Sequence, residues 1–179
     1  MSAAIARTLT LMRHGDALDA EDGLDDHERA LSARGRRDAT AIAAAVVDGA
    51  GPPDRLLCSP ARRTVETARH VCTALGIGAE RLVLDPALYL ASADTLLAVI
   101  ATHERADAPH LMLVGHNPGL ETLVARLERR ARVMLSTAAL RRYALTDGIA
   151  TVAAGDGAGG GARPAARLLH EASPRHLRG

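Results

Sequence analysis

Three short stretches carry side chains that could together handle a small oxyanion. They are Arg13-His14-Gly15, Ser59-Pro60-Ala61-Arg62-Arg63-Thr64-Val65-Glu66-Thr67 and Gly115-His116-Asn117-Pro118-Gly119. Taken singly, each has a plain structural explanation. A histidine after a strand is more often a hydrogen-bonded structural residue than a catalyst. An arginine near a helix start is usually solvated, although it opposes the helix dipole there and so favours a nearby anion. Together they read differently. Two imidazoles and several guanidiniums around one small volume repel one another unless an anion lies between them. A phosphoryl group resolves that repulsion. A neutral imidazole can attack its phosphorus to form a phosphohistidine. Arginine forks can hold the equatorial oxygens and stabilise the charge gathering in the transition state. A glycine such as Gly15 removes a side chain where a substrate must come close.

The elements that would position these residues alternate between strand and helix. Thr8–Met12 is expected as a first strand ending at Arg13-His14-Gly15. A polar, acidic loop from Asp16 to about His27 follows. Ser32 is expected to cap a helix whose apolar positions Ala39, Ile42, Ala43, Val46 and Val47 share one face, with Gly49 and Gly51-Pro52-Pro53 stopping it. Arg55–Cys58 reads as a strand. Ser59 is then expected as the cap of a second helix with Pro60 at its first position, a buried stripe of Val65, Ala68, Val71, Cys72 and Leu75, and Gly76 at its end. Leu82–Leu84 is a third strand, and Ser92 opens a helix to about Thr102. His110–Gly115 is a strand apolar enough to be buried on both faces, and Gly119 to about Arg130 is helical. Leu140–Leu145, Ile149–Ala153 and Arg167–His170 are expected as short strands, with Gly155–Gly161 as a loop. Such alternation implies an α/β fold of three layers, α/β/α, around a mostly parallel sheet. Active sites in these sheets lie just beyond the carboxyl ends of the strands, where the three stretches fall. No repeat or second domain is apparent, so residues 1–179 are expected to form one domain.

Composition removes several alternatives. All 22 basic residues are arginine, which excludes a lysine Schiff base and a lysine-containing phosphate loop. Arginine is therefore left to recognise phosphate, by planar bidentate pairing. Phe and Trp are absent and only Tyr89 and Tyr143 are aromatic, so no platform for nucleobase stacking exists. A formal charge of +1 offers no bulk field for nucleic acid or an anionic membrane. Cys58 and Cys72 have neither a metal-ligand nor a disulfide spacing and read as half-buried thiols of a reducing compartment. His27, His70, His103, His110, His170 and His176 are scattered without metal-ligand spacing, and Arg34, Arg36, Arg37 and the Arg126–Arg132 cluster read as solvated faces. Met1–Thr10 does not read as a signal peptide, and no apolar run is long enough to span a membrane. A cytoplasmic protein needing no metal or cofactor is expected.

The motifs resemble the histidine phosphatase superfamily, the group that includes the cofactor-dependent phosphoglycerate mutases. The resemblance rests on Arg13-His14-Gly15, on Arg29-Ala30-Leu31-Ser32-Ala33-Arg34-Gly35, on Ser59-Pro60-x-x-Arg63-x-x-Glu66-Thr67 and on Gly115-His116-Asn117-Pro118-Gly119. It runs to about residue 145, and the Pro174-Arg175-His176-Leu177 ending is also similar. It implies a phosphoglycerate mutase-like fold, with His14 as nucleophile and Arg13, Arg63 and His116 binding the phosphoryl group. Arg63, not Arg62, stands where the family keeps its arginine, and Arg29 is a further candidate ligand. Glu66 replaces the family's usual Gln and is expected in a supporting role.

Two departures suggest a substrate. Leu90 stands where mutases and many ester phosphatases of this family carry a Glu proton donor. An alkoxide needs a proton as it leaves, whereas imidazole is a better leaving group whose ring titrates near ~6.5. The connection from the third strand to the strand before His116 is also short, without room for an inserted cap. Both features resemble the SixA branch of phosphohistidine phosphatases and imply a phosphohistidine on a partner protein as substrate. Asp16 and Asp85 stay open as proton donors. One rival is a phosphatase of small-metabolite esters, and another is a non-catalytic module that binds phosphoproteins.

Overall fold

The computed structural model describes residues 7–20, 23–47, 51–145, 149 and 166–176. Six strands form one sheet in the order β3-β2-β4-β1-β5-β6. The strands are β1 (Arg7–Arg13), β2 (Arg55–Cys58), β3 (Leu82–Leu84), β4 (His110–Gly115), β5 (Leu140–Leu145) and β6 (Ala166–Ala172). Strands β3, β2, β4 and β1 are mutually parallel, and β5 and β6 add antiparallel at one edge. The helices are α1 (Ala33–Val47), α2 (Arg62–Leu75), α3 (Ala93–His103) and α4 (Gly119–Leu127).

Strand alternation explains the layering. Successive side chains of a strand point to opposite faces. On β1 and β4, Leu9, Leu11, Leu111 and Leu113 join a core with Leu96, Ile100, Leu120 and Leu123 of α3 and α4. Met12, Met112 and Val114 join the opposite core with Ile42, Ala43, Val46, Ala68 and Val71 of α1 and α2. The sheet is thus covered on both sides, and every residue of β4 is buried. Small aliphatic side chains fill both cores. Each fully buried Leu or Val contributes about 2 kcal/mol of transfer free energy. The start of α4 packs tightly on the loop before α3: a Cβ added at Gly119 would collide with the Ala91 carbonyl oxygen.

Most element ends follow local chemistry. Ser32 Oγ accepts from Gly35 N at 3.0 Å, and Ser92 Oγ accepts from Thr95 N at 3.2 Å, as N-caps do. Gly76 closes α2 in the left-handed region with φ 61°. Other expectations need correcting. Ser59 and Pro60 do not open α2, which begins at Arg62 with Ala61 in the cap position. Beyond β2 the chain bends at Pro60 and Ala61 before α2, and Ser59 Oγ, which accepts from Ala61 N at 3.4 Å, also has a partner described below. Helix α4 stops at Leu127, short of Arg130, and Arg129 is left-handed with φ 52°. Both thiols are buried, not half-buried. Burial pushes Cys58 up to about 12 and raises Cys72 as well, so neither is a ready nucleophile. Ile149, expected to open a strand, is helical, and the side chain of Val47, the stop at Gly49, the rest of the Ile149–Ala153 strand, the Gly155–Gly161 loop and Leu177 lie outside the described residues. No described helix is long and apolar enough to cross a membrane.

Candidate active site

Strands β2, β4 and β1 are neighbours and parallel, so their carboxyl ends open onto one rim. That order brings the three motif stretches together. His14 N donates to the Gly115 carbonyl at 3.1 Å, and Ser59 N donates to the Val114 carbonyl at 3.3 Å. The three exits are therefore tied to one another by backbone.

His14 and His116 face each other with ring centroids 5.3 Å apart and planes at 60°. The Nδ1 of His14 lies 2.7 Å from the Gly15 carbonyl oxygen. A carbonyl can only accept, so Nδ1 carries the proton and Nε2 keeps its lone pair. Burial lowers the His14 pKa to about 4, and the positive charges of Arg63, Arg13 and Arg29 push the same way against the Gly15 hydrogen bond. The ring is neutral at physiological pH and has a free nitrogen, as a nucleophile needs.

His116 is 3% exposed. Burial, then His14 and Arg63, lower its pKa to about 3. Its Nδ1 lies 3.4 Å from Arg63 Nη2 and its Nε2 lies 2.8 Å from Ser59 Oγ. Because a guanidinium only donates, Nδ1 accepts and the Nε2 proton goes to Ser59. Ser59 is thus a ring-orienting residue, and reading it as a helix cap hid that.

Arg63 is also 3% exposed. Its Nη1 donates to the Asp26 carbonyl at 2.6 Å and its Nη2 to Asp26 Oδ2 at 2.9 Å. Arg13 Nη1 donates to the Leu135 carbonyl at 2.8 Å, while its Nε is buried with no hydrogen-bond partner among the described residues. Arg29 approaches less directly. Its Nε and Nη2 donate to the Leu18 carbonyl and its Nη1 donates to Asp26 Oδ1. Arg62 points elsewhere and pairs with Glu66 at 2.9 Å.

The supporting shell comes from the remaining motif residues. Thr67 Oγ1 accepts from Gly15 N at 2.9 Å and donates to the Arg63 carbonyl at 2.7 Å. Glu66 Oε2 accepts from Leu31 N at 2.8 Å, which fixes the chain entering α1. Gly15 packs against α1 so closely that an added Cβ would lie 2.8 Å from the Gly35 carbonyl oxygen. Asp16 accepts from Ser32 Oγ at 2.7 Å. Asp85 caps Ala87 N and stands 3.9 Å from His103 Nε2. Leu90 is 53% exposed and left-handed with φ 47°. Among the described residues no cluster of three or more His, Cys, Asp or Glu could hold a metal ion.

Two residues of this rim escape sequence reasoning. Asp26 sits in a short 3-10 turn, Asp26–Glu28, and its carboxylate meets Arg29, Arg63 and the Tyr89 hydroxyl. Tyr89 turns its ring edge to His116, with centroids 5.6 Å apart and planes at 87°. The Asp26-x-x-Arg29 spacing is the one visible clue, because it suits a local ion pair.

Residues 9–89 match the family described as the histidine phosphatase superfamily, branch 1. A crystal structure from Agrobacterium tumefaciens, assigned as the phosphohistidine phosphatase SixA, superposes with a TM-score of 0.74 at 26% identity and covers 95% of this chain and 99% of that one. A structure of the protein histidine phosphatase SixA complexed with tungstate gives 0.75 at 22% identity, with the same coverage, which speaks to the fold. An uncharacterized chloroplastic protein of Arabidopsis thaliana is 29% identical over 133 residues, 70% of this chain, and the chain spans 61% of that relative's length. The matched stretch and the superposed SixA structure both point to the histidine phosphatase superfamily as what this chain is similar to. Within that superfamily its fold is of the SixA type, α/β with a central sheet covered by helices.

Proposed function

We propose that the protein removes phosphate from a phosphohistidine carried by a partner protein, through a phosphorylated His14. The observation that carries the proposal is the pair of neutral, buried imidazoles, 5.3 Å apart, beside Arg63 and Arg13. His14 Nε2 attacks phosphorus while the P–N bond of the substrate breaks. The departing imidazole takes that bond's electron pair and leaves neutral from the substrate form whose other ring nitrogen, which titrates near ~6.5, is protonated. Water then attacks the phosphorus of phospho-His14, the P–Nε2 bond breaks, and inorganic phosphate leaves. Arg63 and Arg13 bind the phosphoryl oxygens in both steps and stabilise their charge, His116 packs beside them with its Nε2 proton on Ser59, and Arg29 adds positive charge at the rim.

Two features support phosphohistidine over an ester. Leu90 offers no proton to an alkoxide. The connection from β3 to β4 holds a single turn at Pro86–Leu88 and α3, which builds no cap over the rim. An uncapped site can accept a side chain on a protein surface. The test is a substrate panel, a phosphohistidine carrier protein against sugar phosphates and other small esters, run for the wild type, His14→Ala and Arg63→Ala. Faster turnover of the carrier, abolished in His14→Ala, is expected. Ester turnover that outpaces the carrier favours the small-metabolite phosphatase. Tight phosphoprotein binding without release of phosphate favours the non-catalytic module.

A further inference from the structure

We propose that Asp26 is the positioning residue for Arg63, holding its guanidinium in the one orientation that serves the phosphoryl group. The inference rests on the phosphoryl-transfer reading given above. Arg63 extends from the first turn of α2 into a pocket where its side chain is 4% exposed, so its orientation must be set by protein partners. Of a guanidinium's five N–H donors, two go to Asp26, one to the carbonyl and one to Oδ2. A third goes to Nδ1 of His116. The remaining two, Nε–H and one hydrogen of Nη1, stay available for phosphoryl oxygens.

Asp26 is itself fixed from three directions. Tyr89 donates to Oδ2 at 2.8 Å and Arg29 Nη1 donates to Oδ1 at 2.9 Å. Its own turn is capped by Asp25, which accepts from His27 N. Those hydrogen bonds, Tyr89 first, also hold the Asp26 carboxyl well below the usual carboxylate range, so it stays ionised. Tyr89 in turn packs its edge on His116 and lies 5.1 Å from the His27 ring. Arg63, Asp26, Tyr89 and His116 therefore form a closed ring of contacts around the pocket. Arg29 joins it from outside through its hydrogen bond to Asp26 Oδ1.

A competing role is an internal anion that occupies the arginine fork and must be displaced by substrate. The two roles predict opposite effects. The experiment compares wild type, Asp26→Asn, Asp26→Glu, Arg63→Ala and the double variant Asp26→Asn/Arg63→Ala. It measures kcat and KM, inhibition by inorganic phosphate, and thermal unfolding to confirm folding. A positioning role predicts that Asp26→Asn lowers kcat about tenfold or more with a smaller change in KM, that Asp26→Glu recovers part of it, and that Asn changes an Arg63→Ala enzyme less than about threefold. The same tenfold loss in both backgrounds overturns the proposal, because Asp26 then acts independently of Arg63. Tighter phosphate inhibition with undiminished kcat overturns it in favour of the displaced anion. If Arg63→Ala alone retains full activity, the phosphoryl-transfer reading fails instead, and the role of Asp26 falls with it.

Discussion

The depressed pKa of His14 leads to a measurable shift in the pH dependence of catalysis. A solvent-exposed imidazole titrates near ~6.5. Burial, reinforced by the positive charges of Arg63, Arg13 and Arg29, lowers His14 to about 4. The difference of roughly 2.5 units corresponds to about 3 kcal/mol favouring the neutral ring. At pH 5 an unshifted imidazole is almost wholly protonated, whereas His14 stays about nine-tenths neutral. The acid limb of kcat/KM, which reports the free enzyme, should then fall near pH 4 and not near 6.5. The phosphoryl group of the substrate has its own ionisation near ~6, so the ring is best followed directly, by NMR titration of the imidazole resonances assigned with His14→Ala. Arg63→Ala should move the His14 midpoint upward, because it removes a positive charge beside the ring. A midpoint near 6.5 in the wild type, or no response to Arg63→Ala, would refute the argument that burial and guanidiniums keep the nucleophile free.

Stability should follow the same titrations. His14, His110 and His116 are held below their unfolded values, to about 4, 4 and 3. The unfolded chain therefore takes up protons first as pH drops below about 6.5, and unfolding free energy should fall between pH 6.5 and 4; a flat profile in denaturant titrations would contradict it. Ser59→Ala should lower kcat about tenfold while thermal stability changes little, since it releases His116 Nε2. Gly119→Ala should destabilise by about 2 kcal/mol or more in urea unfolding, because the new methyl group meets the backbone of Ala91. Glu66→Gln should stay within about threefold in kcat/KM, since an amide oxygen can still accept from Leu31 N. Activity should withstand chelators, and a strong requirement for an added divalent ion would count against direct attack by His14.

Much of the fold was legible because period and capping agree locally. The apolar spacing of Ala39, Ile42, Ala43 and Val46, the Ser92 cap and the Gly76 stop are short-range signals, and each lies where the spacing places it. The gathering of His14, Arg63 and His116 was legible only through the rule that parallel strands deliver their carboxyl ends to one rim. The order β2-β4-β1 is set by long-range pairing, which no local pattern contains. Ser59 shows the limit of the capping signal. The Ser-Pro pair matches a helix start, yet His116, far along the chain, captures the hydroxyl and α2 begins later. Asp26 was illegible for a related reason. It lies in the polar, acidic loop expected from Asp16 to about His27, and its meaning comes from Arg63 and Tyr89, 37 and 63 residues away.

The most direct test of this account is to trap the covalent intermediate. Enzyme mixed with a labelled phosphoryl donor, quenched under alkaline conditions that preserve phosphohistidine and digested for mass spectrometry, should carry phosphate on His14 through Nε2, and His14→Ala should carry none. Label on another residue, or undiminished turnover by His14→Ala, would contradict it.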